Sequence, residues 1–298
     1  MPSLFPVRTR TLVSALLVVT LGGALTACAP GSEDSSAHGG SSSTGDNSEV
    51  ATAATALSAT SGSVTGGEQV VITGTGLDTV TAVNFGATPA PIASASSTEL
   101  TVTVPQATAF APASVEVTLG AGDAAVEASA LTYSYEILTP VDAQMNYVLT
   151  HWQNRNEAEY GSYGDNDCVN FTSQSLIARG WVQDSEWWHT ASGGSHQYSS
   201  PWLSSTSMKK YFDARPNLAT ALTDDQRDQV VIGDIVQFDW DNSGDRDHTG
   251  IVSRIEGEGA ERVIYFAGHS LDSDYRSVDT AITTDHPGGT AYYWHLEA

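Results

Sequence analysis

The sequence predicts a multidomain protein, with an N-terminal all-β sandwich followed by a C-terminal α+β domain. Its 298 residues are enough for about two domains of roughly 100–200 residues each. Residues 51–136 alternate apolar and polar side chains between glycine-rich turns, which is typical of strands. From residue 139 onward, apolar residues recur first at helical spacing and then in strand-like runs. Because helices precede a group of strands that we expect to be antiparallel, residues 139–298 are predicted to be α+β.

The charge balance excludes one large class of partner. The chain has 12 Lys and Arg against 35 Asp and Glu, a formal net charge of −23. Only Arg8 and Arg10 are basic before Arg155. Nucleic-acid affinity comes mainly from neutralised phosphates, so the chain is not expected to bind nucleic acid. The balance fits an exposed, soluble protein.

Residues 1–27 have the pattern of an export signal. Arg8 and Arg10 precede an apolar run over residues 11–27 that is short for a membrane span and ends in small residues. The sequence Leu25-Thr26-Ala27-Cys28 resembles the lipobox of bacterial lipoproteins. The resemblance implies that Cys28 carries the lipid and anchors the protein to the extracytoplasmic face of the cell membrane.

Residues 28–50 are rich in Gly and Ser and are predicted to form a disordered tether. The chain has only two cysteines. If Cys28 is lipidated, Cys168 cannot form an intrachain disulfide. Cys168 is then either a small buried residue or a reactive thiol.

The predicted β-domain covers residues 51–136. Its sequence SGSVTGGEQVVITGTGL, followed by VTAVNFGA, resembles the Ig-like IPT/TIG domain. The resemblance implies a small Ig-like sandwich that acts as a spacer or a binding module. The alternation predicts strands at Gln69–Thr73, Thr79–Phe85, Glu99–Val104, Ser114–Leu119 and Ala128–Tyr135.

The second domain is predicted to begin with two helices. Helical spacing covers Asp142–Glu159, with Pro140 suited to the start and Gly161 to the end. A second helix is predicted at Cys168–Ala178, followed by Gly180 at its C′ position. Strands are predicted near Ile232–Trp240, Thr249–Ile255, Arg262–Phe266 and Ala291–His295.

The position of Cys168 suits a nucleophile. Asp167 is a good N-cap, which would place the thiol in the first turn of the helix. The positive end of a helix lowers a thiol pKa, and its free backbone N–H groups can hold an oxyanion. A small residue packed at a helix start is the structural alternative.

His248 stands at the start of an apolar strand and is the candidate base for Cys168. A base on the first residue of a strand can face a thiol on the first residue of a helix. Taken alone, a histidine at a strand end is usually structural.

The motifs of this region, in order, are D-C-x-N-F-x-S-Q, S-x-x-W, G-D-hydrophobic and D-H-x-x-I-V. They resemble the "Putative amidase domain" family, which is similar to CHAP and NlpC-type cell-wall amidases and peptidases. The resemblance implies a papain-like fold with Cys168 as nucleophile, His248 as general base and His269 as the residue that orients the base. Asp247 and Asp272 are alternative orienting residues. Asp167, Asn170 and Trp202, the tryptophan of S-x-x-W, are candidate substrate contacts.

One acidic loop suggests a structural Ca²⁺. Its oxygen-bearing residues alternate as in the first half of an EF-hand loop, although Gly250 replaces the final Glu and no helices flank it. A solvated hairpin loop is the alternative. The candidate ligands are Asp239, Asp241, Ser243, Asp245 and Asp247.

Together these features predict a lipid-anchored surface enzyme. Its expected reaction is hydrolysis of an amide through a Cys-His acyl-enzyme, with peptidoglycan or a peptide as substrate, cut in the stem peptide or at a muramoyl-peptide bond. No cofactor is required for this chemistry. Two other classes stay open: a surface binding protein with a non-catalytic amidase-like scaffold, and an acyltransferase.

Overall fold

The structure is a computed structural model that describes residues 52–121, 127–128 and 130–297. These residues belong to one compact unit. The predicted signal peptide, the lipobox with Cys28 and the tether lie outside them. Within the described ranges, no helix is long and apolar enough to cross a membrane.

The N-terminal domain is built of strands in two five-stranded sheets. In one sheet the strand order is β6-β7-β3-β1-β9, and in the other it is β2-β10-β8-β4-β5. The strands are β1 (Ala53–Leu57), β2 (Ser61–Ser63), β3 (Gln69–Thr75), β4 (Ala82–Phe85), β5 (Thr88–Ala90), β6 (Ile92–Ala95), β7 (Glu99–Thr103), β8 (Ala113–Gly120), β9 (Glu127–Ala128) and β10 (Leu131–Glu136).

The alternation in the sequence explains how these sheets pack. In β3, Val70 and Ile72 point inward and are fully buried, and they share one apolar cluster with Phe85 of the other sheet. The rings of Phe85 and Tyr133 meet edge to face, 5.1 Å apart. The predicted strand at Thr79–Phe85 begins only at Ala82, because a 3₁₀ turn follows Gly76, whose φ is 64°.

The C-terminal domain combines helices with one six-stranded antiparallel sheet, in the order β13-β18-β14-β15-β16-β17. A separate hairpin, β11-β12, precedes it. The helices are α1 (Pro140–His151), α2 (Glu157–Tyr160), α3 (Cys168–Ala178), α4 (Ser200–Leu203), α5 (Ser205–Asp213) and α6 (Val278–Thr280). The strands are β11 (His189–Ser192), β12 (Ser195–Tyr198), β13 (Ala219–Thr223), β14 (Ile235–Asp239), β15 (His248–Glu256), β16 (Val263–Gly268), β17 (Ser273–Ser277) and β18 (Thr290–Leu296).

The central strands of this sheet are buried on both faces. On one face, Ile235 and Ile251 share an apolar cluster with Phe171 of α3. On the other face, Val236 and Val252 belong to a second cluster. Neighbouring residues of a strand point to opposite faces, so a shift of one residue decides which core a side chain joins.

The predicted helix at Asp142–Glu159 is wrong beyond His151. There the chain leaves the helix, and His151 Nδ1 lies 2.8 Å from the backbone oxygen of Asn154. The short α2 then ends at Gly161, whose φ is 72°. Gly161 therefore ends the short α2 rather than one long helix.

Asp142 joins the two domains. At position N3 of α1 it forms a capping box with Thr139, and its side chain is fully buried. Its carboxylate also accepts hydrogen bonds from the β-domain: from Ser63 Oγ at 2.5 Å and from Thr65 Oγ1 at 2.8 Å. Burial would raise the pKa of Asp142, but these hydroxyls and the backbone N–H groups of Leu138 and Thr139 lower it.

Candidate active site

Cys168 is the first residue of α3 and lies at the edge of a cavity of about 490 Å³. The residue is only 6% exposed. Its Sγ lies 3.9 Å from Ser205 Oγ, and the backbone N–H groups of Thr249 and Val169 donate toward it. The cavity is lined by Asp165, Asn166, Cys168, Tyr198, Ser200, Leu203, Ser204, Ser205, Arg246 and Asp247.

The environment of the thiol keeps it protonated. Burial raises the pKa of Cys168, and the donors from Thr249, Ser205 and Val169 offset this only in part. A helix N-terminus alone therefore does not produce a thiolate here. Formation of a nucleophile requires a base or a change of surroundings.

A buried polar network lies behind the thiol. Ser205 Oγ accepts a hydrogen bond from Thr249 Oγ1 at 2.9 Å, and Gln237 Nε2 donates to that Thr249 oxygen at 3.1 Å. Trp294 Nε1 donates to Gln237 Oε1 at 2.9 Å. Ser205 was not among the site residues predicted from the sequence. The sequence signal that could have identified it is a run of serines before an amphipathic segment, which is typical of a helix start. Ser204 in this run caps α5, and Ser205 is the first residue of that helix.

Asp167 does not cap α3 with its side chain, contrary to the sequence prediction. Its carboxylate turns back and accepts hydrogen bonds from the Tyr163 N–H at 3.0 Å and from Asn170 Nδ2 at 3.0 Å. It also pairs with Arg155 at 2.7 Å. Burial would raise the pKa of Asp167, but hydrogen bonds from His269 and Asn170 lower it. The N–H groups of the first turn are thereby left free of a side-chain cap.

His269 is engaged by groups other than His248. Its Nδ1 lies 2.6 Å from Asp167 Oδ2, its Nε2 lies 3.1 Å from the His151 carbonyl oxygen, and its ring stacks on Phe171 at 3.8 Å. Both polar partners carry acceptor oxygens, so each ring nitrogen of His269 already faces a hydrogen-bond partner. The expected role of His269 in orienting His248 is thus corrected: its ring has no free nitrogen for that task.

The alternative orienting residues are engaged elsewhere too. Asp272 forms an ion pair with Arg155. Asp247 Oδ2 accepts a hydrogen bond from the Trp240 N–H at 2.7 Å. Arg155 therefore bridges Asp167 and Asp272, a role that the sequence analysis did not assign.

His248 lies on the sheet face opposite Cys168. It pairs with Phe238 across the ladder, and its ring is 5.9 Å from the ring of Phe238 and 6.0 Å from that of Trp240. Thr249 faces α3 instead. Among the hydrogen bonds of the described residues, none joins Cys168 to an imidazole.

His248 is neutral in this position. Only 9% of the residue is exposed, and burial, together with charge repulsion from Arg276 and His286, lowers its pKa to about 4. A neutral imidazole can accept a proton, which a base must do. The chemistry of His248 thus suits a base, whereas its orientation in this structure does not.

The other expected substrate contacts are buried. Asn170 and Trp202 are both fully inaccessible, and Trp202 Nε1 donates to Asn170 Oδ1 at 2.9 Å. Asn170 and Trp202 hold α3 against α4 rather than line a cleft, and the Asp167 carboxylate is bound by Asn170, Arg155 and His269. This corrects their assignment as substrate contacts: the tryptophan of S-x-x-W is a core residue here. Tyr198, on the β11-β12 hairpin, lines the cavity instead.

The acidic loop between β14 and β15 gathers four carboxylates. One oxygen from each lies within 4.8 Å of the others. Ser243 Oγ donates to Asp245 Oδ1 at 2.6 Å, and backbone N–H groups of Ser243 and Gly244 donate to Asp239. The oxygen-only set matches what Ca²⁺ prefers. The four residues are Asp239, Asp241, Asp245 and Asp247.

Comparison with known proteins gives the family. A family model described as "Putative amidase domain" matches residues 140–293, just over half of the chain, and one described as "IPT/TIG domain" matches residues 54–135. The chain is 30% identical over 132 residues to "Uncharacterized protein YhbB" of Bacillus subtilis (strain 168), which covers 42% of this chain and 39% of that protein. It is 26% identical over 140 residues to "Uncharacterized protein YjcM" of the same strain, covering 45% and 31%.

Among solved structures, two of the Plexin A4 full extracellular region match 28% of this chain. One is 25% identical with a TM-score of 0.26 and 7% of its chain covered, and the other is 26% identical with a TM-score of 0.25 and 8% covered. The chain spans less than half the length of either curated relative. From the match over residues 140–293, this chain belongs to the "Putative amidase domain" family and carries an IPT/TIG domain N-terminal to its amidase domain.

Proposed function

We propose that the C-terminal domain is a papain-like cysteine amidohydrolase that cleaves an amide bond of peptidoglycan. The observation that carries the proposal is the position of Cys168 at the start of α3, beside a cavity of about 490 Å³. The Val169 N–H of the uncapped helix start and the Thr249 N–H of β15 both approach the sulfur there, and such groups stabilise a developing oxyanion. Membership of the amidase family supports the reaction class.

His248 is proposed as the base after a local rearrangement of the backbone at the start of β15 that turns its side chain toward Cys168, because a rotamer change alone leaves a side chain on its own face of the sheet. The Thr249 nitrogen that approaches the sulfur is bonded to the carbonyl carbon of His248. Standard bond lengths then place the His248 Cα roughly 6 Å from Sγ, within the reach of an imidazole. Catalytic contacts are often loose without substrate and tighten in the complex. We propose that a substrate in the cavity binds the rearranged conformation more tightly and so favours it.

The proposed reaction has two steps. His248 takes the thiol proton as Sγ attacks the amide carbon, and the C–N bond breaks as His248 gives that proton to the leaving amine. Water then adds to the thioester, with His248 taking a proton from it. The acid leaves, and the proton returns to the sulfur.

The decisive experiment is mass spectrometry of purified peptidoglycan incubated with the protein or with its Cys168→Ala variant. Fragments produced by the parent alone would support the proposal, and their masses would identify the bond as a stem-peptide or a muramoyl-peptide amide. Identical products from both proteins would refute it. Products that depend on an added amine would instead indicate an acyltransferase.

A second candidate function is a surface binding protein with a non-catalytic amidase scaffold. Two observations favour it: burial raises the pKa of Cys168, and His248 lies on the opposite face of the sheet. Under this hypothesis, Cys168→Ala and His248→Ala would leave partner binding intact, and neither the parent nor the variants would cut peptidoglycan.

We further propose that Cys28 is lipidated and that the protein is held at the extracytoplasmic face of the membrane. The lipobox sequence at residues 25–28 supports this. Two or more acyl chains suffice for stable anchoring. Mass spectrometry of the mature N-terminus should find a lipid-modified Cys28, and Cys28→Ala should release the protein from membrane fractions. An unmodified Cys28 would refute the anchor.

The acidic loop is proposed to hold a structural Ca²⁺. Four carboxylate oxygens lie within 4.8 Å of one another, where like charges repel, and Arg246 approaches Asp239 to 3.6 Å. A divalent ion would relieve this repulsion and fix the chain just before His248.

A further inference from the structure

A groove of about 800 Å³ runs between the two domains and shares no lining residue with the cavity at Cys168. Its volume falls within the range of small-ligand sites. The β-domain contributes Thr88, Pro89, Gln106, Ala107, Thr108 and Ala109. The amidase domain contributes Leu149, Trp152, Arg254, Glu256, Asp274 and Tyr275.

The side of the groove that the amidase domain forms combines aromatic rings with planar polar groups. Trp152 and Tyr275 are both partly exposed, and Arg254, Glu256 and Asp274 lie beside them. A sugar ring offers an apolar C–H face that suits an aromatic ring and pairs of hydroxyls that suit a guanidinium or a carboxylate. We propose that this groove binds a glycan strand of N-acetylated sugars.

The charges of the groove favour a neutral polymer. The Arg254 guanidinium lies 4.0 Å from the centre of the Tyr275 ring and 3.5 Å from Glu256. Its single positive charge is outnumbered by the carboxylates of Glu256 and Asp274. A polyanion would therefore be repelled, whereas uncharged hydroxyl and acetamido groups find both donors and acceptors.

The side of the groove that the β-domain forms contains strained backbone. Ala109 and Phe110 have φ values of 53° and 50°, in the left-handed region that favours glycine. Such residues cost of order 1–2 kcal/mol each and cluster at ligand sites. The strain persists because Phe110 is fully buried and its carbonyl accepts a hydrogen bond from Asn146 Nδ2 at 3.0 Å. It turns Thr108 and Ala109 outward to line the groove.

Hydrogen bonds fix the β-domain side and the amidase-domain side of the groove relative to each other before any ligand binds. Gln106 of the β-domain hydrogen-bonds to Tyr275 of the amidase domain, and Asp142 joins Ser63 and Thr65 to α1. A preformed groove binds with less loss of conformational entropy. The choice of a wall glycan rests on the proposed function, which this site would deepen: the β-domain would help hold the polymer whose amide Cys168 cuts.

The test is calorimetric titration of the full chain carrying Cys168→Ser with the hexamer of N-acetylglucosamine. The background variant prevents turnover, so binding is measured apart from catalysis. Binding is expected, and both Trp152→Ala and Thr108→Arg should weaken it about tenfold or more, since each removes or blocks a central contact. Trp188→Ala removes a partly exposed tryptophan outside the groove and should change nothing.

Thr108 is exposed, so its substitution keeps the test valid even if Trp152→Ala unfolds the protein. No heat of binding at roughly millimolar hexamer, or binding that Thr108→Arg leaves unchanged, would overturn the inference. Failure of the amidase proposal has a different signature. Peptidoglycan left uncut by the parent, together with groove-dependent hexamer binding, would refute the hydrolase and keep the glycan site.

Discussion

His269 and Asp167 are joined by a buried hydrogen bond immediately before the candidate nucleophile. Nδ1 and Oδ2 are 2.6 Å apart, and each side chain is 1% exposed. Arg155 binds the same carboxylate and extends the network to Asp272. His269 therefore contacts the residue that precedes Cys168, and both of its ring nitrogens face partners other than His248.

Replacing His269 by Ala should lower the free energy of unfolding by about 3 kcal/mol, because removing one partner leaves a buried charge poorly compensated. His269→Asn, which can still donate to Asp167, should recover part of that loss. Denaturant unfolding measures both.

The pH profile of peptidoglycan cleavage separates the two roles of His269. If His269 only positions α3, the His269→Asn variant should cleave more slowly than the parent, and the acidic limb of its kcat/KM profile should not move. A shift of that limb in the variant would mean that His269 does tune the base, against the geometry described above.

Cys168 should alkylate slowly at neutral pH in the absence of substrate. Burial raises the pKa of the thiol, so the reactive thiolate forms only in the alkaline range. The measurement is the rate of iodoacetamide labelling against pH in a Cys28→Ala background, where Cys168 is the sole cysteine. Rapid labelling that persists to pH 5 would reveal a thiolate–imidazolium pair already formed at rest.

Acid should destabilise the protein through His248. Its pKa falls from 6.5 to about 4 on folding, so the unfolded chain binds the additional proton between these values. Stability from this group is complete above pH 6.5 and declines as pH falls toward 4, by up to about 3 kcal/mol.

His248→Gln and His248→Phe should both remove this part of the acid sensitivity. The relevant quantity is the difference in unfolding free energy between pH 7 and pH 4.5, in parent and variants. Equal differences in all three proteins would show that His248 is accessible to protonation without unfolding, and thus that its ring leaves the buried position readily.

Asp142→Ala should uncouple the two domains. The change removes the capping box of α1 and leaves the hydroxyls of Ser63 and Thr65 without their acceptor, at a cost of about 3 kcal/mol. We expect one unfolding transition in the parent and two in the variant by calorimetry. Asp78→Ala, at an exposed site of the β-domain, is the matched control. A single, slightly shifted transition in Asp142→Ala would contradict the assigned role.

Calcium should raise the melting temperature through the acidic loop. Binding at a concentration one hundred times the Kd would stabilise the protein by about 2.7 kcal/mol. The double variant Asp241→Asn with Asp245→Asn should lose the effect, whereas Asp225→Asn, which alters another exposed carboxylate, should keep it. If the parent protein melts at the same temperature with EDTA and with added Ca²⁺, the proposed Ca²⁺ site is wrong.

Local signals in the sequence identified several elements closely. The helix predicted at Cys168–Ala178 has those same bounds, and Gly180 follows it with φ of 101°, as a C′ glycine should. The strand predicted at Gln69–Thr73 is observed at Gln69–Thr75. These features depend on periodicity and on backbone freedom, which neighbouring residues determine. The helix at Asp142–Glu159 failed because its interruption depends on contacts with distant chain, among them Arg155 with Asp167 and Asp272.

The sequence by itself determined the class of each folded domain, the family of the second and the location of Cys168 at a helix start, because motif order and hydrophobic period are written locally. Only the tertiary structure decided which groups meet. The alternation of side chains along a strand predicts that His248 and Thr249 face opposite sides of β15. Which of the two faces lies next to the sulfur of Cys168 depends on where α3 packs, and α3 packs on the face of Thr249. The packing likewise made Trp202 a core residue and placed His269 beside Asp167, since a buried carboxylate needs hydrogen-bond partners that only the folded chain brings together.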